Sequence, residues 1–229
     1  MKRKIIIPAR GGSKRLPNKN LKILNGKPLI FYTIDAVLDS NKFHKIIFST
    51  DDKRLIDLVE SNYTQEKVFI HNRPSHLATD SSKVIETVIE LIDEEYDQTW
   101  LSLPTSPLKT KYDFKQSVDL LDNSCDGVIS YTDMEFPPSL GILISDEGSV
   151  IDYHESKPWQ NGNTRSQDHQ KVFRPNGSIY GMWSSKLKES KSFYKGKIKG
   201  YYMSRSKSID IDSQFDFDFA EFIMKSNYS

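Results

Sequence analysis

Four cationic side chains surround a pair of glycines near the start of the chain. A short β-branched run, Ile5–Ile7, leads into the loop that holds Gly11 and Gly12. Because glycine has no Cβ, it lets the backbone turn tightly and approach a ligand closely, so that N–H groups can point at phosphate oxygens. Cationic side chains would then neutralise the charge of that ligand. The loop therefore predicts a phosphate-binding site, and its cations are Arg10, Lys14, Arg15 and Lys19.

The loop differs from two common phosphate-binding motifs. A Walker A loop reads Gly-x-x-x-x-Gly-Lys-Ser/Thr, and a dinucleotide-binding fold begins with Gly-x-Gly-x-x-Gly. The sequence around Gly11 and Gly12 matches neither pattern. An ordinary strand-to-helix turn with solvated charges is the alternative for a Gly-Gly pair. The clustered cations favour a functional loop.

Two carboxylates near the C terminus form a candidate metal site. Asp210 and Asp212 alternate with Ile209 and Ile211, and at the end of a strand this spacing would put both carboxylates on one face. Such carboxylates repel each other unless a cation lies between them. Mg²⁺ takes one or two carboxylates together with phosphate oxygens and waters. The alternative is that Asp212 caps the last predicted helix, a role that Ser213 could also fill.

Polar residues also follow two predicted strands in the first half of the chain. Arg73 could contact a base or a phosphate group, whereas Asp80 or Ser81 is expected to cap the next helix. Thr105 and Ser106 lie in a proline-bounded turn that suits either a substrate-facing loop or a plain turn. Both segments are expected at the ligand-binding edge of a parallel sheet.

Two other polar pairs admit more than one interpretation. Asn176 and Gly177 form a turn able to adopt positive φ, and the neighbouring Arg174 could bind a carboxylate in a bidentate manner. Asp51 and Asp52 could form a second metal pair, but helix capping is the favoured interpretation. Nucleophilic catalysis has no support, because the sequence lacks a Gly-x-Ser-x-Gly motif and its histidines show no ligand spacing.

The composition argues against several classes of protein. A length of 229 residues suits one α/β domain, and 32 Lys and Arg residues nearly balance 31 Asp and Glu residues. Charge therefore gives no general attraction to nucleic acid or to an anionic membrane. We find no apolar run that suggests a signal segment or a membrane span. The lone Cys125 excludes an intramolecular disulfide and is expected to be structural, so we expect a cytoplasmic protein.

Apolar periodicity predicts alternating strands and helices after the first loop. Repeated βα units with short connections predict a three-layer α/β domain with a mostly parallel sheet and right-handed crossovers. The segment 133–171 interrupts this order and contains a predicted hairpin around 146–148. So long an interruption predicts a functional insertion or an oligomerisation arm within a single domain spanning 1–229. Helices are predicted at 28–40, 54–61, 83–96, 112–121 and 213–226, and strands at 45–50, 68–71, 100–103, 127–131, 171–173, 178–183 and 198–203.

Ordered blocks of residues give the chain a specific resemblance along nearly its whole length. It resembles the acylneuraminate cytidylyltransferase family, whose members join CMP to sialic acid and related nonulosonic acids. The blocks are Ile7-Pro8-Ala9-Arg10-Gly11-Gly12-Ser13-Lys14 with Leu16-Pro17-Asn18-Lys19-Asn20, Ser49-Thr50-Asp51-Asp52, Arg73-Pro74 with Leu77-Ala78-Thr79-Asp80, Pro104-Thr105-Ser106-Pro107-Leu108, Arg174-Pro175-Asn176-Gly177-Ser178-Ile179-Tyr180 and Asp210-Ile211-Asp212.

The resemblance implies a nucleotide-diphospho-sugar transferase-like, Rossmann-like fold and a set of site residues. Arg10 and Lys19 would hold the triphosphate of CTP, and Asp210 and Asp212 would bind Mg²⁺, so these four residues would be catalytic. The segment 133–171 would be a dimerisation arm that reaches the sugar site of a homodimer partner. The other implied nucleotide contacts are Ala9, Gly11, Ser13, Asn20 and Arg73, and the implied sugar contacts are Thr105, Ser106, Arg165, Arg174, Asn176 and Tyr180.

Departures from the family pattern affect which nine-carbon keto-acid sugar would be the substrate. Leu103 stands where sialic acid synthetases usually have Gln, and the stretch around Arg165 differs from the usual Arg-Gln-Asp-Leu-Pro. Pseudaminic acid relatives tend to carry His-Asp-Ala-Gly-Gln where this chain has Arg174-Pro175-Asn176-Gly177-Ser178, which leaves sialate, legionaminate or a similar acid. The alternatives are a 3-deoxy-manno-octulosonate cytidylyltransferase and a nucleotide-binding homologue without turnover.

Overall fold

The protein is described by a computed structural model that covers residues 1 to 226. Helices and strands alternate through most of this range, as the apolar pattern predicts. The strands are β1 (Arg3–Pro8), β2 (Ile23–Leu24), β3 (Lys27–Pro28), β4 (Lys45–Thr50), β5 (Phe69–Asn72), β6 (Gln98–Ser102), β7 (Gly127–Asp133), β8 (Ile142–Ile144), β9 (Val150–Asp152), β10 (Phe173–Trp183) and β11 (Ile198–Tyr202). The helices are α1 (Leu29–Ser40), α2 (Lys53–Glu60), α3 (Val84–Glu90), α4 (Lys111–Leu120), α5 (Pro158–Asn161), α6 (Ser184–Ser190) and α7 (Gln214–Lys225).

The main sheet of the described residues has seven strands in the order β11-β7-β10-β6-β1-β4-β5. Strand β1 pairs in parallel with β4 and β6, and β4 pairs in parallel with β5. Strand β10 runs antiparallel to β6. The prediction of a mostly parallel sheet in an α/β fold is therefore confirmed. Because β1, β5 and β6 share one direction, the loops that follow them emerge at the same edge.

The apolar run at the start of the chain fills the core on both faces of the sheet. Ile5 and Ile7 pack in one buried cluster and Ile6 packs in another, because alternate side chains of a strand point to opposite faces. All three are completely buried, and each contributes about 1.5–3 kcal/mol of hydrophobic stabilisation. Strand β1 is thus a rigid base for the loop that follows it.

Some element boundaries differ from those predicted. Helix α3 ends at Glu90 instead of continuing to residue 96. The buried ammonium of Lys4 donates a hydrogen bond to the Leu91 carbonyl just beyond the helix. Strand β10 is continuous where two shorter strands were predicted, and helix α6 was not predicted.

The segment that carries the C-terminal carboxylates is irregular, so the prediction that it ends a strand is wrong. It lies between a 3₁₀ turn at Arg205–Lys207 and helix α7. Ile211 anchors the segment, since its side chain is fully buried in a cluster with Leu16 and Phe217. Ser213 is the N-cap of α7 and accepts a hydrogen bond from the Asp216 amide. Asp212 does not cap this helix.

The chain divides into two compact units. The first contains Met1–Tyr131 and the chain from Asn176 onward, and the second is Thr132–Pro175. The predicted insertion, 133–171, falls within the second unit. Strands β8 and β9 form the predicted hairpin there, with Gly148 at φ 81° in its turn. No helix in residues 1 to 226 is long and apolar enough to cross a membrane.

Candidate functional site

A cavity of about 320 Å³ lies in the first unit, beside the loops that leave β1, β5 and β6. Five cations and two carboxylates line it, so its wall carries an excess of positive charge. Such a wall attracts a polyanion. Its lining residues are Pro8, Ala9, Arg10, Ser13, Lys14, Arg15, Leu16, Lys19, Asn20, Arg73, Leu77, Thr79, Asp80, Ser82, Val84, Thr87, Leu103, Pro104, Thr105 and Asp212.

Asp80 pairs with two of the four loop cations. Its carboxylate accepts hydrogen bonds from Lys14 Nζ at 2.5 Å and from Arg10 Nη1 at 3.2 Å. The contact with Lys14 lowers the pKa of the Asp80 carboxyl, and Arg10 adds to the effect. The prediction that Asp80 or Ser81 caps helix α3 is wrong, because Lys83 occupies the N-cap position. Asp80 is thus part of the charged wall of the cavity.

The other two loop cations pair with Asp212. Arg15 Nη2 lies 2.7 Å from Asp212 Oδ2, and Lys19 Nζ lies 3.0 Å from Oδ1. Lys19 also donates a hydrogen bond of 2.5 Å to the Ile211 carbonyl, and its side chain is largely buried. The cationic loop and the carboxylate segment therefore meet, although they lie at opposite ends of the sequence.

Two buried polar atoms in the cavity wall lack a hydrogen-bond partner among the described residues. They are Asn20 Oδ1 and Thr87 Oγ1. The Asn20 amide nitrogen donates to the Arg10 carbonyl at 3.3 Å, which fixes the orientation of the side chain. An unsatisfied buried polar atom is costly, so both atoms suit contact with a polar ligand or with water.

Gly11 is required for space and not for a positive φ. A Cβ atom at this position would lie 2.7 Å from Asp52 Oδ2, whereas Gly12 faces open space. The Gly11 amide donates to Asp51 Oδ1 at 3.1 Å, so this N–H holds the loop and does not point at a ligand. Asp52 is the N-cap of α2 and accepts from the Arg54 amide, which confirms the capping interpretation for this residue.

Arg73 lies in the cavity wall and is held by strand β4. Its Nε donates to Ser49 Oγ at 3.1 Å, and its Nη2 donates to the Ser49 carbonyl at 2.6 Å. Burial lowers the pKa of this guanidinium, with Asp51 acting in the opposite direction. Ala9 is also fixed to Ser49, since its amide donates to the Ser49 carbonyl at 2.9 Å. Strand β4 thus orients two predicted nucleotide contacts.

The turn after β6 is tied to the carboxylate segment. The Thr105 carbonyl accepts a hydrogen bond of 2.8 Å from the Ile211 amide. The buried Lys109 ammonium donates to the Leu103 and Ser106 carbonyls at 2.6 and 2.7 Å. Thr105 and Leu103 line the cavity, whereas Ser106 is fully buried and its hydroxyl has no partner among the residues described.

The other predicted sugar contacts have different environments. Asn176 is buried, and its amide nitrogen donates to Ser208 Oγ at 2.9 Å while its oxygen accepts from Ser130 Oγ at 2.6 Å. Both hydrogen bonds hold the polypeptide around β10. The Tyr180 hydroxyl accepts a hydrogen bond from the Tyr194 hydroxyl, and burial raises the pKa of Tyr180. Arg165 and Arg174 are exposed and belong to the second unit.

The sequence of the chain also matches a known protein family. A model of a cytidylyltransferase family matches residues 4–221, which is most of the chain. The chain belongs to the cytidylyltransferase family. The match confirms the prediction from the sequence that the chain resembles a cytidylyltransferase.

Several named cytidylyltransferases are similar along the sequence. Identity is 35% to a CMP-N,N'-diacetyllegionaminic acid synthase of Legionella pneumophila, over 97% of this chain and 96% of the relative. It is 34% to an N-acylneuraminate cytidylyltransferase of Streptococcus agalactiae, over 95% of this chain but 52% of that longer relative. It is 31% to a pseudaminic acid cytidylyltransferase of Campylobacter jejuni, over 100% of this chain and 98% of the relative.

Solved structures of nucleotidyltransferases share the fold. A CMP:2-keto-3-deoxy-manno-octonic acid synthetase, solved with CTP, has a TM-score of 0.70 at 17% identity and covers 99% of this chain and 100% of its own. A 4-diphosphocytidyl-2C-methyl-D-erythritol synthase from Anaerococcus prevotii has a TM-score of 0.65 at 15% identity, with 98% of each chain covered. The likeness confirms the Rossmann-like nucleotidyltransferase fold.

The carboxylates of this cytidylyltransferase have the donor chemistry that Mg²⁺ requires. Asp212 lines the cavity, and Asp210 is exposed with no ion pair to any residue that the structure describes. In the same described range, no group of three or more His, Cys, Asp or Glu residues could hold a metal. A pair of carboxylates fits Mg²⁺, since this ion completes its shell with phosphate oxygens and waters.

Three features of the cavity and of the turn beside it were not apparent from the sequence. Asp80 was assigned to capping because an acidic residue before a helix is a common N-cap. Thr87 lies on a helix, where a hydroxyl gives no sequence signal. Lys109 resembles an ordinary surface lysine in the sequence, and only the structure shows that its side chain is buried.

Proposed function

We propose that the chain is a Mg²⁺-dependent cytidylyltransferase that joins CMP from CTP to a nonulosonic acid and releases pyrophosphate. The observation that carries the proposal is the ion-paired contact of the cationic loop with Asp212 in a single cavity wall. Relatives named for three different nonulosonic acids support the substrate class. Because CTP is available in the cytoplasm, we place the enzyme there.

The reaction exchanges the phosphoanhydride bond between the α- and β-phosphates of CTP for a phosphoester bond to the sugar. The anomeric hydroxyl of the sugar attacks the α-phosphorus of CTP, a new C–O–P linkage forms, and the bond to the β-phosphate oxygen breaks. The hydroxyl proton leaves, and pyrophosphate carries away the electron pair of the broken bond. In this chemistry the protein mainly positions the reactants and neutralises the charge that develops on the phosphates.

The loop cations are assigned to the triphosphate. Arg10 and Lys19 would bind it directly, and Lys14 and Arg15 add positive charge to the same wall. Arg10, Lys14 and Arg15 pair with Asp80 and Asp212 through side chains that are 38 to 78% exposed, and such exposed ion pairs contribute little to stability. A triphosphate can therefore displace these contacts at low cost.

Ala9, Ser13, Asn20 and Arg73, which line the cavity, are assigned to the rest of the nucleotide, whereas Gly11, whose amide is bonded to Asp51, holds the shape of the loop. Asn20 Oδ1, which has no partner among the described residues, would accept a hydrogen bond from the nucleotide, and the Arg73 guanidinium would donate one. These two side chains are held by the Arg10 carbonyl and by Ser49 respectively, so both are oriented before CTP arrives. Such preorganisation reduces the entropic cost of binding.

Asp210 and Asp212 are the residues that would hold Mg²⁺. When bound, the ion neutralises phosphate charge and polarises the phosphoryl group under attack. Lys19 holds Asp212 in place through Oδ1, whereas the exposed Arg15 contacts Oδ2 and is free to turn to the triphosphate. The Ile211 amide and carbonyl, which bond to Thr105 and Lys19, fix the backbone between the two carboxylates.

Leu103 shapes the proposed sugar specificity. Its side chain lines the cavity next to Pro104 and Thr105, so it offers the sugar an apolar contact and no hydrogen bond. A buried hydroxyl without a partner is disfavoured. We therefore expect preference for a less hydroxylated, legionaminate-type acid over sialic acid. Thr105, Ser106, Asn176 and Tyr180 of the first unit are assigned to the sugar site, and a role for Arg165 and Arg174 of the second unit is expected from the family resemblance alone.

A homodimer is part of the proposal. The hairpin of the second unit exposes five aliphatic side chains, each 47 to 65% exposed, which is typical of a surface covered in an assembly. Static light scattering should give twice the mass of the chain. Ile144→Lys in this hairpin should reduce that mass, and a monomeric wild type would contradict the assignment. The five side chains are Ile142, Leu143, Ile144, Val150 and Ile151.

The substrate assignment is tested with purified protein, CTP, Mg²⁺ and a panel of keto-acid sugars. The panel contains legionaminic, sialic and pseudaminic acids and 3-deoxy-manno-octulosonate, and pyrophosphate release is measured for each. We expect the highest kcat/KM with a legionaminate-type acid. Release only with the eight-carbon sugar would overturn the substrate class, and CTP binding without release from any sugar would favour a homologue that has lost turnover.

A further inference from the structure

We propose that His71 is a positioning residue that orients Arg73 for nucleotide binding through the hydroxyl of Ser49. The inference rests on the proposed function, because it assigns Arg73 to CTP. His71 lies at the end of strand β5, beside Ser49 on strand β4. None of the motifs that indicate the nucleotide site includes His71.

The hydrogen bonds around Ser49 favour one direction. Arg73 Nε is always a donor, so Ser49 Oγ accepts this bond of 3.1 Å. Among the described residues, His71 Nδ1 at 3.0 Å is the one acceptor in reach of the Ser49 hydroxyl proton. A buried hydroxyl proton without an acceptor is costly. The Ser49 hydroxyl is therefore satisfied when the imidazole is neutral and carries its proton on Nε2.

The Nε2 proton of His71 faces helix α3. The Glu90 carboxylate lies 3.8 Å from His71 Nε2, and His76 Nε2 lies at the same distance from the second Glu90 oxygen. Glu90 on α3 and Arg73 on the opposite side are the charged groups that act on the imidazole. Glu90 favours the Nε2–H tautomer, which leaves Nδ1 free to accept from Ser49.

The arrangement does not suit Ser49 as a nucleophile. Ser49 is completely buried and bonded to Arg73, and Arg73 lines the cavity whereas Ser49 does not. The Ser49 hydroxyl and carbonyl each accept one guanidinium bond from Arg73. Its chemical role is to hold Arg73, and the role of His71 is to fix the direction of the Ser49 hydroxyl.

Protonation of His71 would disturb this arrangement. Burial lowers the pKa of His71, with Glu90 acting in the opposite direction and Arg73 adding to the decrease. Protonated Nδ1 would become a donor toward Ser49 Oγ, and the Ser49 hydroxyl proton would lose its acceptor. The imidazolium would also lie near the Arg73 guanidinium. CTP affinity should therefore fall as the pH drops below the usual titration range of histidine.

The test compares His71→Leu with His71→Asn. Leucine removes the acceptor for Ser49, so we expect roughly threefold to tenfold weaker CTP binding with little change in kcat. Asparagine restores an acceptor through its amide oxygen, so it should recover most of the affinity. His44→Asn is the matched control, because His44 Nδ1 accepts a hydrogen bond from the Arg3 amide away from the cavity lining.

The measurements are the CTP dissociation constant by calorimetry and the KM for CTP between pH 5 and 8. Because the CTP phosphates also take up protons at the acid end, both proteins should bind CTP more weakly there, but wild type should lose more affinity than His71→Asn. Equal affinity of wild type and His71→Leu, or the same acid loss in wild type and His71→Asn, would overturn the inference. Failure of wild type itself to bind CTP would instead overturn the proposed function, and thermal unfolding shows whether each variant is folded.

Discussion

Lys19 donates one hydrogen bond to the Ile211 carbonyl and another to the Asp212 carboxylate, at 2.5 and 3.0 Å. These contacts join the cationic loop after β1 to the segment that carries the proposed metal ligands. Lys19 is 9% exposed, so its ammonium is oriented by the protein. One side chain thus belongs to both halves of the proposed catalytic site.

Lys19→Met should reduce kcat/KM for CTP by about 10²–10³-fold, because it removes a preorganised positive charge from the triphosphate site and leaves Asp212 less well held. Pyrophosphate release at saturating sugar measures the effect. Lys22→Met is the control, since Lys22 lies over the Phe217 ring and is absent from the cavity lining. Similar losses in both variants would contradict the role of Lys19.

Asp210→Asn and Asp212→Asn should each reduce kcat by at least about tenfold and raise the Mg²⁺ concentration needed for half-maximal rate. Each change removes a negative ligand while preserving the size of the side chain. Asp51→Asn serves as the comparison, because Asp51 accepts the Gly11 amide and is absent from the cavity lining. An equal change in Mg²⁺ dependence for Asp51→Asn would place the metal elsewhere.

Thr87→Val should have opposite effects on stability and on ligand binding. Valine removes a buried hydroxyl that has no partner among residues 1 to 226, so the free protein should gain about 1 kcal/mol of unfolding free energy. CTP or sugar binding should weaken, because the same hydroxyl is available to a ligand in the cavity. Thermal unfolding and KM values for both substrates measure these two effects.

Thr33→Val provides the matched control for Thr87→Val. Thr33 lies on α1, its hydroxyl is also buried without a partner among the described residues, and it does not line the cavity. This variant should gain stability and keep the wild-type KM values. If Thr87→Val also keeps both KM values, Thr87 is not a ligand contact.

Lys109 should make folding stability depend on pH. Burial lowers the pKa of Lys109 to about 7, although Asp210 and Asp113 oppose the decrease. A lysine in the unfolded chain titrates near about 10.4, so above neutral pH the unfolded state holds a proton that the folded state has released. Unfolding free energy should therefore rise with pH between these two values.

Urea unfolding of wild type and Lys109→Met at neutral and alkaline pH measures the unfolding free energies that test this prediction. Other groups, including Lys4, titrate in both proteins, so the difference between the two proteins isolates Lys109. Wild type should gain stability relative to the variant as the pH rises. A constant difference across the range would show that Lys109 keeps its proton in the folded protein.

The fold was largely predictable because its signals are local. Continuous apolar runs such as Ile5–Ile7 identify buried strands, and the acidic residue Asp52 before α2 identifies a cap. The alternation of strands and helices then predicts a mostly parallel sheet. The end of α3 was not predictable, because it coincides with a hydrogen bond from the distant Lys4 to the Leu91 carbonyl.

The charged part of the site was predictable as two separate patterns but not as one assembly. The loop cations and the pair Asp210 and Asp212 each have a recognisable spacing. Their contact through Lys19 depends on the sheet order and on the burial of Ile211, which no local pattern contains. Asp80 was misassigned for a similar reason, since a capping residue and an ion-pair partner look the same in sequence.

The most direct test of the central claim is the mass of the product formed from CTP and a legionaminate-type acid in the presence of Mg²⁺. We expect a CMP-sugar together with an equal amount of pyrophosphate, and we expect the loss of both products when Lys19 is replaced by Met. Unchanged CTP at high enzyme concentration with every nonulosonic acid tested would contradict it.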